Sequence, residues 1–237
     1  MLKAVLFDFN GIIINDEPLH EKLIDELLLE ENLRPKPGEF RQFCLGRSDR
    51  ACLIDLLQSR GRVVTEEYAS QLLARKSASY QSAIDRLETL PIYPGLQDLI
   101  FKLRVAKVKL AIVSGALPAE IELVLKRAQL SDYFSVIVAA AQRLPSKPEP
   151  NSYLLAVDRL NQADPTLNLK PSECLAIEDT FAGIEAAKRA RIPVVGVANT
   201  YPFHMLQRRA NWVVDRLSDL EFDRVQQTYD SVAAKAG

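Results

Sequence analysis

Short, β-branched apolar runs recur at wide intervals along the chain: KAVLFDF (3–9), KLAIVSG (109–115), SVIVAA (135–140), CLAIED (174–179), PVVGVA (193–198) and NWVVD (211–215). Each is too short for a helix and too continuously apolar for a strand with one wet face, so each predicts a buried strand. Between them lie amphipathic stretches of helical length, such as GLQDLIFKLRVA and PAEIELVLKRAQL. Strands alternating with helices predict an α/β fold, a doubly wound parallel sheet with helices on both faces.

One connection breaks that rhythm. From Asn15 to about Thr89 no strand pattern occurs, only helical periodicity in LHEKLIDELLLEE, DRACLIDLLQS and EEYASQLLARKSASYQSAIDRLETL. The stretch is too long for a single crossover. It predicts an all-helical subdomain at residues 16–89, inserted into a core made of residues 1–15 and 90–237, with hinges near residues 15–17 and 88–93. The other reading is a helical hairpin packed permanently on the sheet.

Composition narrows the setting. Lys and Arg (30) balance Asp and Glu (31), which leaves no basic field to recruit nucleic acid. No run approaches the ~18 apolar residues of a membrane span, and the first apolar run, broken by Asp8 and Asn10, does not read as a signal peptide. The three cysteines, Cys44, Cys52 and Cys174, are odd in number and lack metal-ligand spacing. They read as reduced, buried thiols of a cytoplasmic protein, and nothing in the pattern demands more than a monomer.

Polar residues at the strand ends carry the chemistry. In an open parallel sheet ligands bind beyond the carboxyl ends of the strands. Asp8 and Asn10 follow the first run, Ser114-Gly115 the second and Glu178-Asp179 the fourth, while Lys147 lies in the loop LPSKPEP after the third. Singly, each has an ordinary explanation: a strand-end acid, a turn, a solvated loop charge, an acidic pair at a helix start. Together they supply a carboxylate nucleophile, a cation and small hydroxyl for phosphoryl oxygens, and an acidic set for a divalent ion.

These residues resemble the motifs of the haloacid dehalogenase superfamily. FDFNGIIINDE is similar to its first motif, AIVSGA with Ser114 to the second, SKPEP with Lys147 to the third, and IEDTFAGIEAAKRA to the fourth. The resemblance implies a Rossmann-like core and a helical cap of the β-phosphoglucomutase-like branch. It implies that Asp8 attacks phosphorus to give an aspartyl phosphate, with Ser114 and Lys147 on the phosphate oxygens and Gly115 beside them. Asp8, the main-chain carbonyl of Asn10, Glu178 and Asp179 would hold Mg²⁺, a hard ion suited to oxygen ligands. From the cap, His20, Gly46, Ser48 and Lys76 fall where that branch places hinge or substrate groups, and Arg47 stands beside Ser48.

Three positions depart from the family pattern. The second Asp of the first motif, which carries the proton to the leaving group, is here Asn10, and an amide cannot cycle a proton at neutral pH. A positioned acid–base group contributes roughly 10²–10⁴ in rate, so simple alkyl phosphates should turn over slowly. Asp49 follows Ser48 where a mutase has arginine, and an acid there opposes a second phosphate by like-charge repulsion. Arg191 replaces the glycine that ends the last motif's helix, which predicts a different helix end there. The expected function is Mg²⁺-dependent hydrolysis of a small phosphorylated metabolite; a sugar phosphomutase, or a non-catalytic binding protein on the same fold, is the alternative.

Overall fold

The computed structural model describes residues 1–140 and 144–236. Six strands form one all-parallel sheet: β1 (Ala4–Phe7), β2 (Lys109–Val113), β3 (Val136–Val138), β4 (Cys174–Glu178), β5 (Val194–Val197) and β6 (Trp212–Val214), in spatial order β3-β2-β1-β4-β5-β6. All six predicted runs contain a strand. The chain winds outward from β1 through β2 to β3, then returns to lay β4 on the other side of β1. That reversal places a crevice beyond the ends of β1 and β4.

Side-chain alternation sorts the strands' residues onto two faces. Val5, Phe7, Leu110, Ile112 and Ile177 pack with residues of α5 (Leu96–Val105), α6 (Pro118–Arg127) and α10 (Phe222–Ala236). Ala4, Leu6, Ala111, Val113 and Ala176 pack with residues of α7 (Asn151–Ala163), α8 (Phe181–Arg189) and α9 (Phe203–Leu206). Phe7 pairs with Ile112 on one side and Ile177 on the other, so the ends of the three central strands lie level.

Between β1 and α5 the chain forms four helices, α1 (Glu17–Glu30), α2 (Glu39–Phe43), α3 (Asp49–Ser59) and α4 (Glu66–Asp85). Ser48 and Thr65 start α3 and α4 by accepting from Ala51 N–H and Tyr68 N–H, which satisfies donors that a helix start leaves open. The four helices share a core of their own, including Ile24, Leu28, Leu53, Leu56 and Leu72. They are not isolated from the sheet, because Leu23, Tyr80 and Ile84 bury into the larger cluster. The two connecting segments run side by side: Asn15 N–H donates to Pro91 O at 2.8 Å, Tyr93 N–H donates to Ile13 O at 3.1 Å, and Ile14 and Ile92 form an antiparallel bridge.

Two expectations are corrected. Cys44 and Cys52 are joined in a disulfide, their Cα atoms 4.4 Å apart, because the turn from α2 into α3 brings them together; Cys174 alone is a buried free thiol. Arg191 keeps the left-handed conformation of the glycine it replaces, φ 61°, and its N–H and that of Ile192 bond to Lys188 O and Ala187 O at the end of α8. The helix end is therefore unchanged, and the residue there is a strained one. No helix among the described residues is long and apolar enough to cross a membrane.

Candidate active site

The level strand ends gather the predicted residues. Asp8 follows β1 and its N–H donates to Ile177 O at 3.0 Å, which holds it beside Glu178 at the end of β4. Lys147 arrives from the loop before α7, and its Nζ lies 2.9 Å from Asp8 Oδ1, 2.6 Å from Glu178 Oε1 and 3.1 Å from Val113 O. The Tyr153 hydroxyl donates to the same Glu178 oxygen at 2.5 Å. Every one of these side chains is buried. Ser114 follows β2, its N–H bonded to Val138 O, and its hydroxyl accepts from Ala116 N–H at 3.0 Å.

Carboxylates outnumber cations at the centre. Oxygens of Asp8, Glu178 and Asp179 lie within 4.8 Å of one another. Burial, then Asp8 and Glu178, push the Asp179 carboxyl well above its usual range; burial and Asp8 push Glu178 up, against the pull of Lys147. Burial opposes the charge on Lys147, but Asp8 and Glu178 outweigh it and raise its pKa. Asp179 Oδ1 is buried without a hydrogen-bond partner, although Thr200 donates to its other oxygen. Three convergent hard oxygens, one of them orphaned, fit a divalent ion such as Mg²⁺, which would answer both the repulsion and the missing partner.

Glycine lets these groups approach. A Cβ on Gly183 would stand 2.0 Å from the Glu178 carboxyl carbon, and one on Gly11, where φ is +80°, would stand 2.0 Å from Asp179 Oδ2. Neither position admits another residue without moving a carboxylate.

The helical insert closes over the centre. Ser48 N–H donates to Ser146 Oγ at 2.8 Å, and a Cβ on Gly115 would meet Arg47 O at 2.7 Å. Asp8, Asn10, His20, Arg47, Gly115 and Lys147 line a common cavity together with Glu17 and Asp49. Of the residues predicted to contact substrate, Gly115 and His20 therefore face the nucleophile. Arg47 reaches the cavity but is bonded to Asp55 (2.6 Å) and Phe43 O, the Ser48 hydroxyl is spent on the start of α3, and Lys76 lies fully buried, 2.5 Å from Asp49 Oδ2 and 3.5 Å from Glu120 Oε2.

Sequence reasoning missed the partners of these residues. Asn10 Nδ2 lies 3.0 Å from both oxygens of Asp16 and 3.0 Å from His20 Nε2; Tyr80 donates to Asp16 at 2.5 Å and stacks on the His20 ring. Burial opposes charge on Asp16, but His20, Tyr80 and Asn10 hold its pKa below the usual carboxylate value. Burial and Lys76 oppose charge on His20, and Asp16 with Asp49 overcomes both, raising its pKa. Glu120, Tyr153 and Thr200 were missed as well. Asp16 and His20, four apart at the start of a helix, share one face; that spacing was the available signal.

A family model described as haloacid dehalogenase-like hydrolase matches residues 2–191. β-Phosphoglucomutase of Bacillus subtilis (strain 168) is 29% identical over 231 residues, covering 97% of this chain and 96% of that one. A phosphorylated carbohydrates phosphatase of Thermotoga maritima is 26% identical over 201 residues, 84% of this chain and 87% of its own length. The crystal structure of β-phosphoglucomutase from Clostridium difficile superposes with a TM-score of 0.84 at 26% identity, over 99% of this chain and 100% of that one. The match takes in the residues at all four strand ends, and the chain belongs to the haloacid dehalogenase-like hydrolases, in the β-phosphoglucomutase-like branch with a helical cap.

Proposed function

We propose that this protein is a Mg²⁺-dependent phosphatase acting on a small phosphorylated metabolite, with Asp8 as nucleophile. The observation that carries the reading is the position of Asp8. It stands at the switch point of the sheet, 2.9 Å from the Lys147 ammonium and beside the Glu178–Asp179 pair. Relatives named as a phosphomutase and a phosphatase support it.

In this reading the Asp8 carboxylate attacks phosphorus and the bond to the leaving oxygen breaks, leaving an aspartyl phosphate that water hydrolyses. Lys147 and the Ser114 hydroxyl hold phosphoryl oxygens as charge develops on them. Asp8, the Asn10 carbonyl, Glu178 and Asp179 would hold Mg²⁺, which supplies charge neutralisation between carboxylate and phosphate. The closed cap excludes water during the first step. Gly115 and His20 border the substrate, with Arg47, Ser48 and Lys76 as the cap residues behind them, and Asn10 orients a group where a proton carrier would serve alkyl leaving groups.

Hydrolysis of a panel of phosphate monoesters, with Mg²⁺ and with chelator, tests the assignment. Turnover that needs the metal and disappears in a folded Asp8→Asn variant supports it. Turnover of the variant within about tenfold, ~1.4 kcal/mol of barrier, removes Asp8 as nucleophile. A second reading, a phosphometabolite-binding protein without turnover, is favoured by Asn10 alone; tight ester binding with no hydrolysis would select it.

A further inference from the structure

The disulfide of the cap brackets the segment that seats the cap on the core. Cys44 and Cys52 stand eight positions apart, and Gly46, Arg47, Ser48 and Asp49 lie between them. Each of these four meets a core loop beside the nucleophile. Gly46, at φ +74°, lies so close to Thr180 that a Cβ would stand 2.6 Å from its hydroxyl, and Arg47 O lies against Gly115. Ser48 N–H donates to Ser146 Oγ at 2.8 Å, next to Lys147, and Asp49 N–H donates to Gly115 O at 3.4 Å. One short segment thus touches the loops after β2 and β4 and the loop before α7.

The two sulfurs hold that segment to the cap. α2, which carries Cys44 at its end, has five residues, none of them buried. Cys52 is 1% exposed and packs in the cap's own core with Leu53, Leu56 and Leu72. The bond therefore ties the end of α2 to that core and removes conformations the segment would otherwise adopt. An ion pair between Arg47 and Asp55 spans the same region, but it is partly exposed, where such pairs contribute little.

We propose that the Cys44–Cys52 bond is a redox switch on cap closure: oxidised, it keeps residues 44–52 in the shape that seats the cap, and reduced by a dithiol, it releases them and the cap rests open. Cys44 Sγ is the sulfur attacked, since Cys44 lines the cavity that holds Asp8 while Cys52 is sealed. A thiolate of the dithiol bonds to Cys44 Sγ as the S–S bond breaks, and the electron pair leaves on Cys52 Sγ, which takes up a proton. The second thiolate of the dithiol then attacks the sulfur of its own chain in the mixed disulfide, and Cys44 leaves and is protonated in turn. Two electrons and two protons pass to the protein, and the dithiol ends as a disulfide. Because closure excludes water and completes the site, release of the segment lowers turnover.

The test is a redox cycle of the full chain, with dithiothreitol and then glutathione disulfide. Thiols are counted at each stage by acid quench, alkylation of the unfolded chain and intact mass. The oxidised chain should show Cys174 alone as a free thiol, and the reduced chain Cys44 and Cys52 as well. On reduction, proteinase K should cut the segments joining cap and core at least about fivefold faster, and kcat/KM for p-nitrophenyl phosphate in Mg²⁺ should fall at least about fivefold, both reversing on reoxidation. Cys174→Ser should keep the whole response, and Cys52→Ser should behave as the reduced chain under either treatment. If Cys52→Ser does not fold, the wild-type cycle and Cys174→Ser decide. A bond that does not form under the oxidant, equal cleavage in the two states, unchanged turnover in an active preparation, or a response lost in Cys174→Ser overturns the switch. Cleavage alone decides if the ester is not turned over, which keeps failure of the phosphatase reading distinct from failure of the switch.

Discussion

Asn10, half-buried, and Asp16, buried, form one unit: the amide nitrogen of Asn10 stands 3.0 Å from each oxygen of the Asp16 carboxylate. The acid absent from position 10 therefore has a counterpart six residues on, beneath the amide. Asn10→Asp alone would set two carboxylates face to face, with His20 the one cation beside both among the described residues and like-charge repulsion between them the cost. It should destabilise the protein by ~1–3 kcal/mol and raise alkyl phosphate turnover little. Exchanging the pair, Asn10→Asp with Asp16→Asn, keeps the hydrogen bond and moves the acid to the leaving-group side, with turnover rising roughly 10–10⁴-fold. Melting temperature and kcat for the four proteins of the cycle measure the coupling, and a single variant as stable and active as the double would refute it.

Closure of the cap depends on Gly115 lacking a side chain, because a Cβ there would meet Arg47 O at 2.7 Å and Ser48 Cα at 2.9 Å. Gly115→Ala should hold the cap off the core while leaving the sheet intact. A displacement of about 1 Å costs ~10² in rate when positioning is the source of catalysis. Steady-state kinetics should show that loss, and limited proteolysis should cut faster at the segments joining cap and core. Unchanged kcat and cleavage would mean that closure is not required.

Gly183→Ala targets the acidic centre from behind, since its Cβ would overlap the Glu178 carboxylate. Glu178 would have to leave Lys147 and Tyr153, at ~1–3 kcal/mol. Mg²⁺ titration should show weakened binding, and a normal titration would show that Glu178 is free to move.

The dependence of stability on pH should differ with and without metal. Burial raises the pKa of Asp179, of Glu178 and of Glu17, the last to about 7, whereas these acids ionise near ~4 in an unfolded chain. Between those values the folded protein holds more protons than the unfolded one, so stability falls as pH rises. The raised pKa of His20 acts in the same direction, because its stabilisation is lost as pH climbs through the folded value. Asp16, with a lowered pKa, contributes stability that is lost only as pH falls through its folded value. Melting temperature in chelator should therefore decline from about pH 6 to pH 8 and above; Mg²⁺ should flatten or reverse that decline by favouring ionised Glu178 and Asp179.

Arg191→Gly should stabilise the protein by ~0.5–1 kcal/mol, since φ 61° costs nothing at glycine. Chemical denaturation measures it. No gain would mean that the arginine's other contacts offset its backbone strain.

The strands and the residues at their ends were legible because both signals are local. A run such as CLAIED carries its own period, and its terminal acids mark where it stops. The partners were not legible for the opposite reason. Lys76 meets Asp49 and Glu120 across 27 and 44 positions, and Tyr80 meets Asp16 across 64, distances that only packing can set. The Cys44–Cys52 bond was misread because compartment was argued from cysteine count, while the turn between two cap helices decided their proximity. At Arg191 local preference predicted one backbone and the tertiary context imposed another.

The level alignment of Phe7, Ile112 and Ile177 makes the acidic centre a gauge of workmanship in the sheet. Asp8 and Glu178 are each carried to their place by the strand behind them, and Lys147 bridges them only once they are there. A shaved methyl group deep in β1 or β4 would let the strand settle and carry its carboxylate with it, and ion coordination tolerates errors of only about 0.2 Å. Metal affinity would then report flaws in the interior that a melting curve averages away, turning a binding titration into an instrument for inspecting the fold.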